Sequence, residues 1–150
     1  MKLCTALAGI ALVSASFACG ADELIVTSNA SKAQDAQAYA VDFVTSGNAV
    51  ALQFNIKLPK GVDARQVDLK SCMADLPKTH TGQCNVAKGH IVGVAYNDTN
   101  VPFAAGIVPI GKLYIQSRGK GNRVGSLRVS EFLVSDKNAN AIESVAKIAE

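Results

Sequence analysis

The ten residues AVALQFNIKL, positions 49–58, alternate apolar and polar side chains along almost their whole length. Successive side chains of a β-strand point to opposite faces, so a period of two predicts a half-buried strand. Pro59 and Gly61 follow directly and end the strand. The apolar side of this predicted strand carries Val50, Leu52, Phe54, Ile56 and Leu58.

Shorter stretches with the same period occur on both sides of this strand. Ser46, Gly47 and Asn48 form a turn signal, so residues 39–44 and 49–58 are predicted to form a hairpin. Leu127, Val129, Glu131 and Leu133 are expected on one side of a late strand. The other predicted strands are residues 24–27 at an edge, 91–96, 112–116, 126–134 and 141–145, with a short one in 67–71.

No segment keeps a helical period for three turns. Many short strands separated by turn residues are typical of a sandwich of two sheets. The sequence therefore predicts an all-β fold, a jelly-roll or immunoglobulin-like β-sandwich of about nine strands.

Residues 1–21 have the three parts of a secretory signal peptide. Lys2 supplies a positive start, residues 3–17 are mostly apolar, and residues 18–21 are small. We expect cleavage after Ala21, which leaves residues 22–150 as one domain in the periplasm or outside the cell. The apolar run is too short for a transmembrane anchor, and no transmembrane segment is expected after it. Lipidation at Cys19 is the less favoured alternative, because Ser16 stands where lipoprotein signals usually carry Leu.

Two cysteines, Cys72 and Cys84, lie beyond the leader. In an oxidising compartment the simplest interpretation is one disulfide, which pins down an irregular loop. A metal site with His80 and His90 is the alternative. The order of these four residues lacks the short ligand pairs of zinc modules, so no cofactor is expected.

Composition excludes several classes of protein. Hydrophobic residues make up 49% of the chain, which excludes disorder, and a net charge of +3 is too small for nucleic-acid binding. The sequence has no Trp, which argues against a sugar-binding platform built from rows of exposed rings.

Candidate sites are few. Arg118, Lys120 and Arg123 form a small basic cluster that could contact the rim of an acidic partner, the alternative being a solvated turn. A strand rather than a helix is predicted after the nearby glycines, so they do not form a dinucleotide-binding loop. Residues 136–140 copy the start of a calcium loop but lack its glycine and its final glutamate, which favours a turn. The sequence contains neither G-x-S-x-G nor H-E-x-x-H, and we expect no enzyme.

Residues 39–145 resemble a cohesin-like domain of the jelly-roll superfamily that also holds carbohydrate-binding modules. The matching features are the strand 50–59, residues 97–103 leading to 111–115, and residues 127–136 followed by 138–142. The resemblance implies a nine-stranded sandwich that docks a dockerin-like protein module in a polysaccharide-degrading assembly. The alternative is a module that binds polysaccharide directly, for which only Tyr39, Tyr96 and Tyr114 could supply tyrosine rings.

Overall fold

The computed structural model describes residues 21–29, 36–117 and 124–149, and they form two five-stranded sheets. The strands are β1 Asp22–Asn29, β2 Ala36–Thr45, β3 Ala49–Lys57, β4 Val67–Asp68, β5 Thr81–Ala87, β6 His90–Tyr96, β7 Gly106–Gln116, β8 Arg128–Asp136, β9 Ala141–Ile142 and β10 Ser144–Ala149. A single 3₁₀ turn, Ala64–Gln66, precedes β4. Sheet A has the order β10-β1-β2-β7-β4, and sheet B has the order β5-β6-β3-β8-β9. The predicted β-sandwich is confirmed, and the described ranges contain no helix long and apolar enough to cross a membrane.

The core lies between the two sheets. Phe43 of sheet A meets the ring of Phe132 of sheet B edge to face, with ring centroids 6.0 Å apart. Phe43 also packs edge to face against Phe103 in the loop after β6, with ring centroids 5.4 Å apart. Aromatic pairs in this geometry add to the free energy gained by burying their area.

The predicted hairpin between residues 39–44 and 49–58 is wrong, because β2 belongs to sheet A and β3 to sheet B. Alternate residues of each strand point into the same core from opposite sides, so the chain crosses between the sheets instead of pairing with itself. Asp22 stabilises the segment in which the chain passes from β2 to β3. Its buried carboxylate accepts hydrogen bonds from the Thr45 hydroxyl and the Ser46 N–H, both at 2.9 Å.

The first and last strands also differ from the prediction. Residues 24–27 are not at an edge, because β1 lies between β10 and β2. The predicted strand 141–145 divides into β9 in sheet B and β10 in sheet A, where β10 runs parallel to β1. The chain crosses from sheet B to sheet A at Glu143, between β9 and β10. The backbone carbonyl of Glu143 accepts a hydrogen bond from the Asp22 N–H at 2.9 Å.

A bulge in β8 reverses part of the predicted alternation. The pairing register with β3 shifts between Asn55 and Ile56, because β8 has one extra residue there. Before the bulge, Leu127 and Val129 pack against the core as predicted. After it, Phe132 packs inside, so Leu133 points outward and is 53% exposed.

Strand β5 falls where the sequence predicts an irregular loop. Its inward side carries Gly82, Cys84 and Val86, which are only partly buried, and its outward side is exposed. Because the two sides of β5 differ little in burial, its sequence shows little of the alternation that would indicate a strand. The strand is joined to β6 by Lys88 and Gly89, whose positive φ angles of 50° and 77° suit the tight turn of a hairpin.

The structure contains the predicted disulfide between Cys72 and Cys84, whose Cα atoms are 6.3 Å apart. Cys84 lies on β5 of sheet B. Cys72 lies in a turn that is hydrogen-bonded to β7 of sheet A, where the Ser71 carbonyl accepts from the Lys112 N–H at 2.8 Å. Gly111 permits this approach, since a Cβ atom there would collide with the Ser71 and Cys72 carbonyl groups. The disulfide therefore joins the two sheets along one open side of the sandwich.

We predict that Cys72→Ala/Cys84→Ala lowers the free energy of unfolding by about 3 kcal/mol, because a short closed loop is lost from the unfolded chain. Denaturant titration of the oxidised protein against this double variant measures the difference. Mass spectrometry after alkylation, with and without reductant, checks the bond itself. Two freely alkylated thiols in the unreduced folded protein would contradict the disulfide.

Candidate functional site

The outward side of sheet B forms a regular surface across four neighbouring strands. The pairing registers place its residues in four rows that run from β8 through β3 and β6 to β5. The row at one end, Arg128–Lys57–His90–Ala87, carries two exposed cationic side chains. We call the twelve residues of the other three rows the outer B face. The rows are Ser135–Ala51–Tyr96–Thr81, Leu133–Gln53–Val94–Gln83 and Glu131–Asn55–Val92–Asn85.

The outer B face carries large apolar side chains and little charge. Leu133 on β8 and Tyr96 on β6 are 53% and 43% exposed, and Val92 and Val94, on the same strand as Tyr96, are half-buried. Glu131 is the one charged residue among the twelve, and its carboxylate accepts a hydrogen bond from the Asn55 amide at 2.6 Å. Protein interfaces are depleted of charge at their centre and enriched in aromatic side chains, so this face has the composition of an interface core.

The outward side of sheet A has exposed apolar residues too, but charges lie among them. Ile107 and Val145 are 66% and 51% exposed. Glu23 lies between their strands and forms an ion pair with Lys147 at 2.8 Å. In the next row burial raises the pKa of Asp42, and the nearby Asp75 charge adds to the effect. A partner on this side would have to desolvate these charged groups, which costs free energy.

The three tyrosines are distributed over different environments. Tyr39 is buried in the core, Tyr114 is half-buried on sheet A, and Tyr96 is exposed on the outer B face. Within the described residues, therefore, neither sheet presents two exposed tyrosine rings that could stack on neighbouring sugar units.

Asn97 organises the loops at the end of the outer B face beside Tyr96. Its side-chain oxygen accepts hydrogen bonds from the N–H groups of Thr99 and Val101, at 2.8 and 2.9 Å. Its amide group donates to the Thr79 carbonyl, which joins the loop after β6 to the loop before β5. Both loops are thereby held in fixed positions next to the face.

His80 belongs to this loop cluster and to the core. Its ring stacks on Phe103 with centroids 3.7 Å apart, and its Nδ1 is 3.0 Å from the Thr79 hydroxyl. Burial lowers the pKa of the imidazole, and the Val101 backbone carbonyl partly opposes this. The alternative metal site with Cys72, Cys84 and His90 is not formed, since both thiols are in the disulfide. In the described ranges no three His, Cys, Asp or Glu side chains are grouped to hold a metal.

Residues 136–140 form a turn in which Asp136 acts as the acceptor. One carboxylate oxygen accepts from the N–H groups of Asn138 and Asn140 at 2.8 and 2.9 Å, and the other accepts from the Asn140 amide. These bonds explain the D-x-N-x-N pattern as an Asx-type turn between β8 and β9.

The predicted basic cluster Arg118, Lys120 and Arg123 lies outside the described residues, between β7 and β8. Its contact with a partner stays a prediction. Residues 1–20, including Cys19, are also outside the described ranges.

No protein-family model and no curated protein sequence matches this chain. Solved cohesin structures have the same fold. The cohesin of the type I complex Coh-OlpC–Doc435 from Clostridium thermocellum is 16% identical, with a TM-score of 0.61 over 91% of this chain and 98% of that one. Type II cohesin A11 from Bacteroides cellulosolvens is 12% identical, with a TM-score of 0.57 over 85% and 96%. A non-cellulosomal cohesin from the archaeon Archaeoglobus fulgidus is 13% identical, with a TM-score of 0.52 over 86% and 87%. The fold is cohesin-like, as the sequence resemblance predicts.

We predict that the protein loses stability as the pH falls below about 6.5, because the unfolded chain takes up a proton that buried His80 resists. The lowered pKa of the folded state means that this stability is fully present above 6.5 and is lost towards the folded pKa. His80→Phe keeps a ring against Phe103 and removes the titration, so its free energy of unfolding should vary less with pH. Denaturant titrations between about pH 7.5 and 5.5 measure this.

The matched control is His90→Gln, which leaves His80 in place and should keep the wild-type dependence. An unchanged pH profile in His80→Phe would show that another group is responsible.

Proposed function

We propose that this chain is a non-catalytic docking module whose outer B face binds a protein partner. The observation that carries the proposal is the exposure of Leu133 and Tyr96 on a sheet face of twelve residues that includes one charged side chain, Glu131. Burying the exposed parts of these two side chains would release ordered water and favour association.

The surroundings of the two side chains fit a protein surface. Gln53 lies between Leu133 and Val94 in the central row, and Asn55 occupies the row beside it. Carboxamides both donate and accept hydrogen bonds, so they can satisfy backbone groups of a partner without burying a charge. Glu131 at one side and the loops held by Asn97 at one end provide a polar rim. An apolar centre within a polar rim is the usual anatomy of a protein interface.

The structural neighbours support a dockerin-like partner. Two of the solved structures are described as type I cohesin–dockerin complexes from Clostridium thermocellum, with the cohesins of OlpC and OlpA. We extend this mode of binding to the present chain as part of the proposal, together with a place in an assembly that acts on polysaccharide. Export to the periplasm or the exterior is also proposed, since the leader-like residues 1–21 and the disulfide are both typical of exported proteins.

Direct binding of polysaccharide has less support. Tyr96 is the single exposed tyrosine on the outer B face, and Tyr114 lies on the other sheet. One ring can stack on one sugar unit, whereas a polymer is usually held by several. A pull-down on insoluble polysaccharide separates the two ligands.

We predict that Leu133→Lys weakens binding of the partner by about 2 kcal/mol, or roughly 30-fold, because it places a charge at the apolar centre of the interface. The partner is first co-purified with the wild-type protein from the native host in calcium-containing buffer and identified. Isothermal titration calorimetry with the purified partner then gives the affinity. Because Leu133 is exposed, the variant should fold normally, which circular dichroism checks.

Ile107→Lys is the matched control, since it adds the same charge at an exposed apolar position on sheet A. It should bind as the wild type does. Loss of binding in Ile107→Lys with full binding in Leu133→Lys would move the docking site to the other sheet.

A further inference from the structure

The four sheet edges differ in how well they are protected from pairing with another strand. Sheet A ends in β4, which has two residues, and in β10, which carries Lys147. Sheet B ends in β9, which also has two residues, and in β5, which has seven. Edge strands are usually kept from pairing by shortness, charge or proline. The sequence of β5, TGQCNVA, contains no charge and no proline.

The strand β5 is anchored on its inward side and exposed on its outward side. On its inward side the strand is fixed by the Cys84–Cys72 disulfide, and Met73 and Leu76 fill the space beside Gly82. On its outward side Thr81, Gln83, Asn85 and Ala87 are all exposed. In the described residues β5 pairs with β6 alone, so the backbone groups on its other edge are open to a further strand.

The residues of β5 are arranged symmetrically about Cys84. Gln83 and Asn85, the two carboxamides, flank it on either side, and the small residues Thr81 and Ala87 lie further out. If two such strands pair antiparallel with Cys84 opposite Cys84, each Gln83 faces an Asn85 of the other copy. Directly opposed side chains on one face contribute to the stability of a strand pair, and two carboxamides can hydrogen-bond to each other.

We propose that β5 is a self-association edge at which a second copy of this chain adds its own β5, antiparallel and centred on Cys84. The two B sheets then form one continuous sheet across a two-fold axis. Because that axis is perpendicular to the sheet, both outer B faces point to the same side. The dimer would therefore present two docking faces side by side, which allows bivalent binding of a partner that carries two matching modules.

Sedimentation velocity of the intact protein over an about 100-fold range of concentration tests the proposal, since a reversible dimer is governed by mass action. The wild type should shift from monomer to dimer, and the β5 amides should become protected from hydrogen exchange over the same range. Gln83→Lys/Asn85→Lys places lysine opposite lysine twice in the proposed register, so this variant should stay monomeric. Gln83→Glu/Asn85→Glu should do the same for the same reason.

Mixing the two charged variants tests the register. Lysine then lies opposite glutamate in both facing pairs, so a mixed dimer should form although each variant alone is monomeric. These outward side chains are exposed, so both variants should keep the native fold, and recovery on mixing shows directly that they do.

Gln53→Lys/Leu133→Lys is the matched control, with the same added charges on interior strands of the same sheet. It should still dimerise while losing the docking partner, so the self-association edge and the proposed function can fail separately. A wild type that is monomeric throughout overturns the proposal, as does a dimer that persists in Gln83→Lys/Asn85→Lys or a mixture that does not associate. Protection of β5 amides only when a different protein binds would also overturn it, in favour of a foreign strand at this edge.

Discussion

The contact of Phe43 with Phe132 across the core is the interaction on which the rest of the structure depends. It fixes two sheets face to face with aromatic rings between them, so every strand must direct alternate residues inward. Phe103 extends the same cluster to the loop after β6, and the His80 ring stacks on it. The core is thereby connected to the loops that border the outer B face, and those loops are held by packing as well as by hydrogen bonds.

The outward surface is a consequence of this inward packing. Because Phe132 occupies the core, Leu133 must point to solvent, and the bulge in β8 is what brings Phe132 rather than Glu131 to the inside. The exposure of Leu133 on the outer B face therefore depends on one extra residue earlier in β8. The position of Leu133 in the central row follows from the register with Gln53, which the bulge also sets.

Much of the fold could be predicted from sequence because its signals are local. The alternation in residues 49–58 identifies β3, and the cysteines Cys72 and Cys84 identify the disulfide. The pairing of strands depends on long-range packing instead, so a turn signal at Gly47 was compatible with a hairpin although the chain crosses between sheets there. Strand β5 was missed because both of its sides are partly exposed. The outer B face could be predicted only in part: the alternation places Gln53 and Asn55 outward, but the period-two pattern assigns Leu133 to the wrong side unless the bulge is known. The hydrophobic pattern was enough to indicate a cohesin-like fold. Solved cohesin structures share this fold with the chain at only 10–17% sequence identity.

The parallel pairing of β1 with β10 has a consequence for the order of folding. Asp22 pairs with Ser144 and Thr27 with Ala149, so the first strand acquires its second neighbour only from the final residues of the described chain. Until these residues are present, one edge of β1 and the N–H of Asp22 lack their native hydrogen bonds. Contacts between such distant parts of a chain are slow to form, because a long loop must be closed first. Sheet A can therefore be completed only after β10 has been synthesised, and a chain truncated within β10 would leave β1 as a long unpaired edge of sheet A.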